Sequence, residues 1–371
     1  MVYRVIGLMS GSSLDGLDLV FAEITENSST WSFEIVAADC YTYEEDWKSR
    51  LQNAVSLNAL EYQLLHTAYG HYLGKAVNRF IDEKGIAYQV AFIASHGHTT
   101  FHQPQHRMTA QLGDGAALAA ETGLPVVSDL RALDVAFGGQ GAPIVPIGEK
   151  LFWKGHDLFL NLGGIANISF NDADHYIAFD VCPANRVLNA LAQEAGKEYD
   201  EGGALAATGN VQHGLLKKLN ALDYYGQQYP KSLANSFGTD VVYPLIKSYS
   251  LTPADALRTY VAHIVEQIKT AIAGSDWAAA TAYKTSSDNY RLLATGGGAF
   301  NTFLIAELQQ ALQPFSIDVI VPDAALVAYK EALIMALLGV LRWRQEYTVL
   351  PSVTGAARAS IGGALWIGQE A

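Results

Sequence analysis

Gly7-Leu8-Met9-Ser10-Gly11-Ser12-Ser13-Leu14-Asp15-Gly16-Leu17-Asp18 collects the residue types that hold an anion. Glycines let backbone amides approach closely, and serine hydroxyls add donors. Asp15 and Asp18 could carry Mg2+ through water, supplying the charge neutralisation that phosphoryl transfer requires. The chemistry suggested is therefore binding, and transfer, of a phosphate. The stretch is not a Walker loop, because no Gly-Lys-Ser/Thr closes it, and not a dinucleotide fingerprint, because no helix follows. An ordinary hairpin loop with Asp15-Gly16 as its turn has the same composition.

Two further glycine turns have the same character. Asn161-Leu162-Gly163-Gly164-Ile165-Ala166-Asn167 sits between two apolar segments, and Thr295-Gly296-Gly297-Gly298-Ala299-Phe300-Asn301 follows a strand and precedes a helix. Such backbone can lie flat against a phosphate, a ribose or a base. Asp180 ends an apolar strand and precedes Val181-Cys182-Pro183-Ala184-Asn185, a position from which a carboxylate can act as a base towards water or a hydroxyl. A helix cap or an ion pair would use the same residue. His96, His98, His102 and His106 invite a metal reading, but no carboxylate or cysteine joins them at ligand spacing, so no resident metal site is expected. His96, Arg131 and Glu331 are polar groups at the ends of apolar elements and suit contact with a sugar; Lys231-Ser232 is a further candidate.

These residues need particular elements to aim them. Val2 to Ile6 is apolar and β-branched, and Leu17, Leu19 and Phe21 alternate with Asp18, Val20 and Ala22, so the first turn joins two strands. Residues 32–38 read as a third strand, 47–80 as helix, 90–95 as a short buried strand running into His96-Gly97-His98, 114–122 as helix and 125–130 as strand. The second half repeats the plan: strands at 158–162, 165–170 and 176–181, a helix at 253–272, and strands at 291–295 and 317–321. The expected fold is therefore α/β and duplicated. Two similar lobes, each with three hairpin strands followed by helix alternating with strand, would aim glycine turns at a central nucleotide cleft. Gly138-Gly139-Gln140-Gly141-Ala142-Pro143 is the linker candidate by composition.

Bulk properties set outer limits. The 371 residues are half hydrophobic and only 16% charged, enough apolar material for sizeable cores. A net charge of −13 argues against a sequence-independent grip on nucleic acid or anionic lipid. Two cysteines, Cys40 and Cys182, exclude a disulfide scaffold. The first residues read as strand rather than leader, and the apolar run 332–341 is too short to span a bilayer and is closed by Arg342 and Arg344. A cytoplasmic protein is expected.

Taken together, GLMSGSSLDGLD (7–18), SHGHT (95–99), QLGDGAALA (111–119), VVSDLRALDVAFGGQGAPIVP (126–146), NLGGIANIS (161–169), FDVCPAN (179–185), PKS (230–232), TGGGAFN (295–301), KEALIMALLG (330–339) and LPSVTGA (350–356) resemble the anhydro-N-acetylmuramic acid kinase family. The resemblance implies the two-lobed fold of sugar kinases, actin and heat-shock ATPases, a duplicated ribonuclease H-like arrangement. It implies lobes of 1–130 plus about 352–371, and 131–351. It implies that ATP, with Mg2+, phosphorylates O6 of 1,6-anhydro-N-acetylmuramic acid while water opens the anhydro bridge at C1. It places the catalytic base at Asp180, the ATP motif on Gly11, Ser12, Ser13, Leu14, Asp15, Gly16, Leu17 and Asp18 with Gly163, Gly164, Gly296, Gly297 and Gly298, and the sugar contacts on His96, Arg131 and Glu331. The partner is a small anhydro-amino sugar, with no nucleic acid and no membrane, and a homodimer left open. The chain departs from the family pattern at Val181-Cys182-Pro183-Ala184-Asn185, where Thr-Gly-Pro-Gly-Asn is usual. It also departs at Gly11-Ser12-Ser13, usually Gly-Thr-Ser, and at Gly113, where proline is common. A non-catalytic sugar or nucleotide sensor on the same fold, and a glycoside hydrolase using Asp180 with Glu331, are the alternatives.

Overall fold

A computed structural model describes residues 1–11, 14–171, 176–229, 231–234, 236–275, 277 and 289–368. The chain forms two compact units, Met1–Lys154 with Tyr329–Ala371, and Gly155–Ala328.

The first unit is built on one sheet. Its strands are β1 (Val2–Ser10), β2 (Gly16–Asn27), β3 (Thr30–Thr42), β4 (Phe92–Gln103), β5 (Met108–Leu112), β6 (Val126–Ser128) and β12 (Ala364–Trp366). They run in the order β12-β6-β4-β1-β2-β3, with β5 on β4. β1 pairs antiparallel with β2 and parallel with β4. The alternation of β2 is covered on both sides. Leu17, Leu19 and Phe21 join Leu65, Tyr69, Leu73, Val77 and Phe80 of the helix Ala59–Lys84 in one core. That helix starts at Asn58, whose side chain forms a capping box with Glu61, and stops at Gly85 in the left-handed region. The expected single helix over 47–80 is thus broken into Glu45–Gln52, a short turn at Ala54–Ser56, and this long helix.

The opposite face receives the helix Ala324–Trp343, of which residues 329–343 belong to this unit. Two glycines permit its close approach. A Cβ on Gly7 would lie 2.0 Å from the Ala332 carbonyl oxygen, and one on Gly339 would lie 2.5 Å from the Ala94 Cβ. This is the only helix among the described residues long and apolar enough to cross a membrane, and 72% of its apolar window is buried inside the molecule. It behaves as a core helix.

The second unit repeats the design. β7 (Leu158–Leu162), β8 (Ile165–Asn171), β9 (Tyr176–Pro183), β10 (Tyr290–Thr295) and β11 (Ile317–Ile320) run in the order β11-β10-β7-β8-β9. β7 pairs antiparallel with β8 and parallel with β10. Both sheets therefore contain the strand order 3-2-1-4-5 with strand 2 reversed, the duplicated ribonuclease H-like fold. Helix Pro253–Ala273 buries Leu257, Tyr260, Val261, Ile264 and Ile268 in the second core.

The units divide at 154 and 329, whereas the sequence suggested 130 and 351. Residues 131–154 stay with the first sheet because Phe152 and Trp153 pack on Phe33 of β3, with ring centroids 4.7 and 5.4 Å apart. Lys330 is held in the same unit by a buried ion pair with Glu149, at 2.9 Å. β4 also runs to Gln103 instead of stopping near Ser95, because β5 returns beside its second half.

Adding a single methyl group at Gly7 should be costly, since the atom it meets is backbone. Gly7→Ala is expected to lower unfolding free energy by about 3 kcal/mol in a denaturant titration.

Candidate active site

In the second unit, three polar side chains stand in register across neighbouring strands: Asn161 opposite Asn167, and Asn167 opposite Asp180. Asn161 Nδ2 donates to Asn167 Oδ1 at 3.2 Å, and Asn167 Nδ2 donates to Asp180 Oδ1 at 2.7 Å. The β8–β9 ladder shifts register between Ala166 and Asn167, where Cys182 and Asp180 are successive partners and Val181 is the extra residue. Such a bulge re-aims the side chain beside it. The other carboxylate oxygen, Oδ2, accepts the Leu233 backbone N–H at 2.8 Å, and the Tyr224 hydroxyl donates to the Asp180 carbonyl at 2.6 Å. Each carboxylate oxygen keeps a lone pair for a third group. Lys231 lies over the rings of Tyr224 and Phe179, at 4.8 and 5.7 Å, and its desolvation lowers the ammonium pKa.

The glycine turns of this unit divide into two kinds. Gly296 has φ +80°, and a Cβ there would meet Asn161 Oδ1 at 2.5 Å and the Leu162 carbonyl carbon at 2.9 Å. On Gly298 a Cβ would meet Leu162 Cβ at 2.7 Å. Those two glycines are required by the protein's own packing. Gly164 is exposed, and nothing would lie closer to its Cβ than Arg186 Nε at 3.8 Å. Gly163 and Gly297 are likewise uncrowded, with first neighbours at 3.4 and 3.5 Å, ordinary van der Waals distance. Nothing in their own packing demands glycine there, and a glycine backbone lets a ligand lie close against it. The turn is braced from behind: Ala184 N–H donates to the Gly164 carbonyl at 2.8 Å, Asn185 N–H to that of Gly163 at 3.0 Å, and Asn185 Nδ2 to that of Leu162 at 2.9 Å. Sequence reasoning missed Asn167, Asn185, Tyr224 and Leu233 as supports of this site. Asn167 alone carried a signal, as a polar residue opposite Asp180 in two adjacent alternating strands.

In the first unit the turn after β1 contains Ser12 and Ser13, which lie outside the described residues. Leu14 has φ +59° and its N–H reaches the Gly11 carbonyl at 3.4 Å. Gly16 is pressed on β3, where a Cβ would lie 2.6 Å from Cys40 Sγ. Leu17 points into the core at 1% exposure, so only its backbone faces elsewhere. Asp15 is exposed. Asp18 pairs with Cys40 in the ladder, and its carboxyl is pushed up to about 6. Burial is the main cause; the charges of Glu331 and Asp15 add to it, and a hydrogen bond from the Cys40 thiol opposes it. The thiol in turn rises to about 12, first by burial and then by that bond. No group of three or more His, Cys, Asp or Glu among the described residues is arranged to hold a metal ion.

The residues proposed for sugar contact converge within this unit. Arg131 Nε donates to His96 Nε2 at 2.8 Å, and His96 Nδ1 faces the Gly97 carbonyl at 2.8 Å, which makes Nδ1 the protonated nitrogen. Burial, then the Arg131 charge, hold the His96 imidazole down to about 3, so it is neutral. Burial lowers the Arg131 guanidinium to about 10, while Glu331 and Asp134 act the other way. His96 and His98 are not at a strand end, as the sequence suggested, but within β4. His98 Nδ1 lies 3.1 Å from Ser10 Oγ, which accepts from Tyr43 at 2.8 Å, and Tyr43 meets the Tyr69 hydroxyl at 2.6 Å. This buried chain ends at the residue just before Gly11. His102 and His106 are exposed, and His102 lies beside Arg131 and the Gln140 backbone.

With the geometry in view, the comparisons with known proteins are decisive on one point. The family model described as anhydro-N-acetylmuramic acid kinase matches residues 3–368. The chain belongs to that family. A relative named anhydro-N-acetylmuramic acid kinase from Aliivibrio fischeri is 33% identical over 381 residues, covering 97% of this chain and 98% of the relative. One of the same name from Hydrogenovibrio crunogenus is 33% identical over 378 residues, covering 97% of each. Among solved structures, an activator of 2-hydroxyisocaproyl-CoA dehydratase from Clostridium difficile with bound ADPNP aligns with 90% of this chain and 96% of its own, at a TM-score of 0.39 and 14% identity.

The family also gives meaning to the altered loop. Val181, Cys182 and Ala184 are buried and belong to the second core. The residues that depart from the family pattern therefore lie in the packing beneath the loop, and the Ala184 and Asn185 amides brace the glycine turn.

Gly296→Ala should destabilise the fold by about 2–3 kcal/mol, while Gly164→Ala should stay within about 1 kcal/mol of wild type in the same denaturant titration. ATP affinity, measured by calorimetry, is expected to fall in Gly164→Ala despite its intact fold. The histidines add a pH dependence. Burial holds His98 down to about 4, below its ordinary 6.5, so the unfolded chain takes up a proton that the folded chain refuses. Stability from this group is complete above pH 6.5 and is lost as pH falls towards 4. Asp18 works in the opposite sense, so the informative comparison is internal: His98→Gln should show a shallower fall in melting temperature over that window than wild type.

Proposed function

We propose that this family member is an ATP-dependent kinase that opens the 1,6-anhydro bridge of anhydro-N-acetylmuramic acid and phosphorylates O6, with Asp180 as its base. The observation that carries the reading is the fixed carboxylate. Asn167 and the Leu233 amide hold one oxygen each at 2.7 and 2.8 Å. Neither donor ionises at neutral pH. The side chain is therefore oriented in advance and still able to accept a proton from water.

The step balances as follows. Water adds to C1 and gives its proton to Asp180. The C1–O6 bond breaks and its electron pair stays on O6, which forms the new bond to the γ-phosphorus as ADP departs. The products are N-acetylmuramic acid 6-phosphate and ADP, and Asp180 later releases the proton to solvent. Gly11, Ser12, Ser13, Leu14, Asp15, Gly16, Leu17 and Asp18, with Gly163, Gly164, Gly296, Gly297 and Gly298, are assigned to the nucleotide. Leu17 contributes backbone alone, because its side chain is in the core. His96, Arg131 and Glu331 are assigned to the sugar. Since His96 is neutral and accepts from Arg131, its part is to orient the guanidinium rather than to move protons.

The donor set suits Mg2+, which keeps several waters and takes one or two carboxylates besides phosphate oxygens. Asp18, crowded by the charges of Asp15 and Glu331, is the carboxylate whose ionised form a cation would favour. When bound, the ion supplies neutralisation of the phosphate charge. The use of ATP suits a cytoplasmic enzyme. A homodimer is compatible with this reading and is not required by it. No observation favours the non-catalytic sensor, and the family favours the kinase.

Incubation with ATP and the anhydro sugar, followed by mass spectrometry, should show the ring-opened 6-phosphate. Asp180→Asn should lose turnover by roughly 10³-fold while still binding ATP in calorimetry. Full turnover by that variant would remove Asp180 from the role, and product formed without ATP would point to a hydrolase.

A further inference from the structure

The segments VVSDLRALDVAFGGQGAPIVP and LPSVTGA, 220 residues apart at their contact, meet at one buried carboxylate. Asp134 is 1% exposed, and Thr354 likewise. The Thr354 hydroxyl donates to Asp134 Oδ1 at 2.8 Å, and the Gly141 N–H donates to Oδ2 at 2.7 Å. The Asp134 carbonyl accepts the Gly139 N–H at 2.9 Å, and the Thr354 carbonyl accepts the Gln140 N–H at 2.7 Å. Gly139 has no room for a side chain, since a Cβ would lie 2.3 Å from Asp134 Oδ2. The glycine-rich stretch that composition marks as a linker is therefore bound down on both sides within the first unit.

The consequence falls on Arg131. Its Nη1 donates to the Gly141 carbonyl at 2.5 Å while its Nε donates to His96. One residue, Gly141, thus presents its N–H to Asp134 and its carbonyl to Arg131. We propose that Asp134 and Thr354 are positioning residues that set the Arg131 guanidinium through Gly141, so that the C-terminal segment at Thr354 controls the affinity for the sugar. This rests on the reading that Arg131 faces the sugar. Removing the Thr354 hydroxyl leaves Asp134 Oδ1 buried without its donor, a state relieved when the loop and its Gly141 carbonyl shift. Arg131 then loses one of its two fixed bonds and its orientation with it.

The test is steady-state kinetics of the full chain with ATP and the anhydro sugar, on variants shown to be folded by circular dichroism. Thr354→Val is expected to raise the KM for the sugar roughly tenfold while leaving kcat and the KM for ATP within about twofold. Thr354→Ser should restore the sugar KM, because the hydroxyl returns. Asp134→Asn, which can still accept from Gly141 and donate to Thr354, should lie closer to wild type than Asp134→Ala. A folded Thr354→Val with the wild-type sugar KM would overturn the proposal, as would equal changes in the KM values for sugar and ATP. Arg131→Met separates the two readings. If it raises the sugar KM and Thr354→Val does not, the link through Gly141 is wrong and the sugar contact stands; if neither does, the sugar contact itself is wrong. Thr354→Val decides the matter even if Asp134→Ala does not fold.

Discussion

A carboxylate proposed to take a proton from water is useful only if it is held while the water is not yet there. In this protein the holding is done by two uncharged donors, the Asn167 amide and the Leu233 backbone N–H. Hydrogen bonds to an ionised acceptor are short and directional, so two of them leave the group little freedom. The rest of the second unit follows from that requirement. Asn167 must stand opposite Asp180, which fixes the register of β8 on β9, and the bulge at Val181 lies beside the aspartate within the strand. Asn161 continues the row and ties it to the strand that ends in Gly163 and Gly164.

Glycine serves two different purposes in this protein. Gly7, Gly139, Gly296 and Gly298 each face an atom closer than 3.0 Å to where a Cβ would be. They exist so that a helix, a carboxylate or a strand can come near. At Gly163, Gly164 and Gly297 a Cβ would meet its neighbours only at ordinary van der Waals distance. Identical residue types thus answer to the core in one case and leave backbone exposed in the other.

Buried histidines follow a similar division. Four histidines lie between residues 96 and 106, which in sequence invites a metal reading, and of these only His96 and His98 are buried. Burial keeps His96 and His98 neutral; His96 accepts a hydrogen bond from Arg131, and His98 Nδ1 lies 3.1 Å from Ser10 Oγ. Both are fixed within the sheet by partners far along the chain. That arrangement places a neutral imidazole beside a buried guanidinium without adding a like charge.

Much was legible before any coordinates. Alternation in residues 17–22 and 165–170 reveals strands, because a strand with a buried face repeats every two residues. The halves show the same element order, so the duplication and the glycine turns at matching strand ends follow from the chain alone. Asp180 in an apolar strand was also visible, though β9 runs on to Pro183 where the sequence ended it at 181, and the resemblance implied the role proposed for it. Other features were not visible: the Leu233 amide on Asp180, Ser10 against His98, and Thr354 on Asp134 join residues 53, 88 and 220 positions apart. The bounds of the two units were likewise misplaced, since aromatic contact between Phe152 and Phe33 leaves no local trace. Periodicity reports which side of an element is buried, a property of neighbours in the chain. Which donor meets which acceptor is set by strand register and by helices crossing the sheet, and only the folded chain determines those.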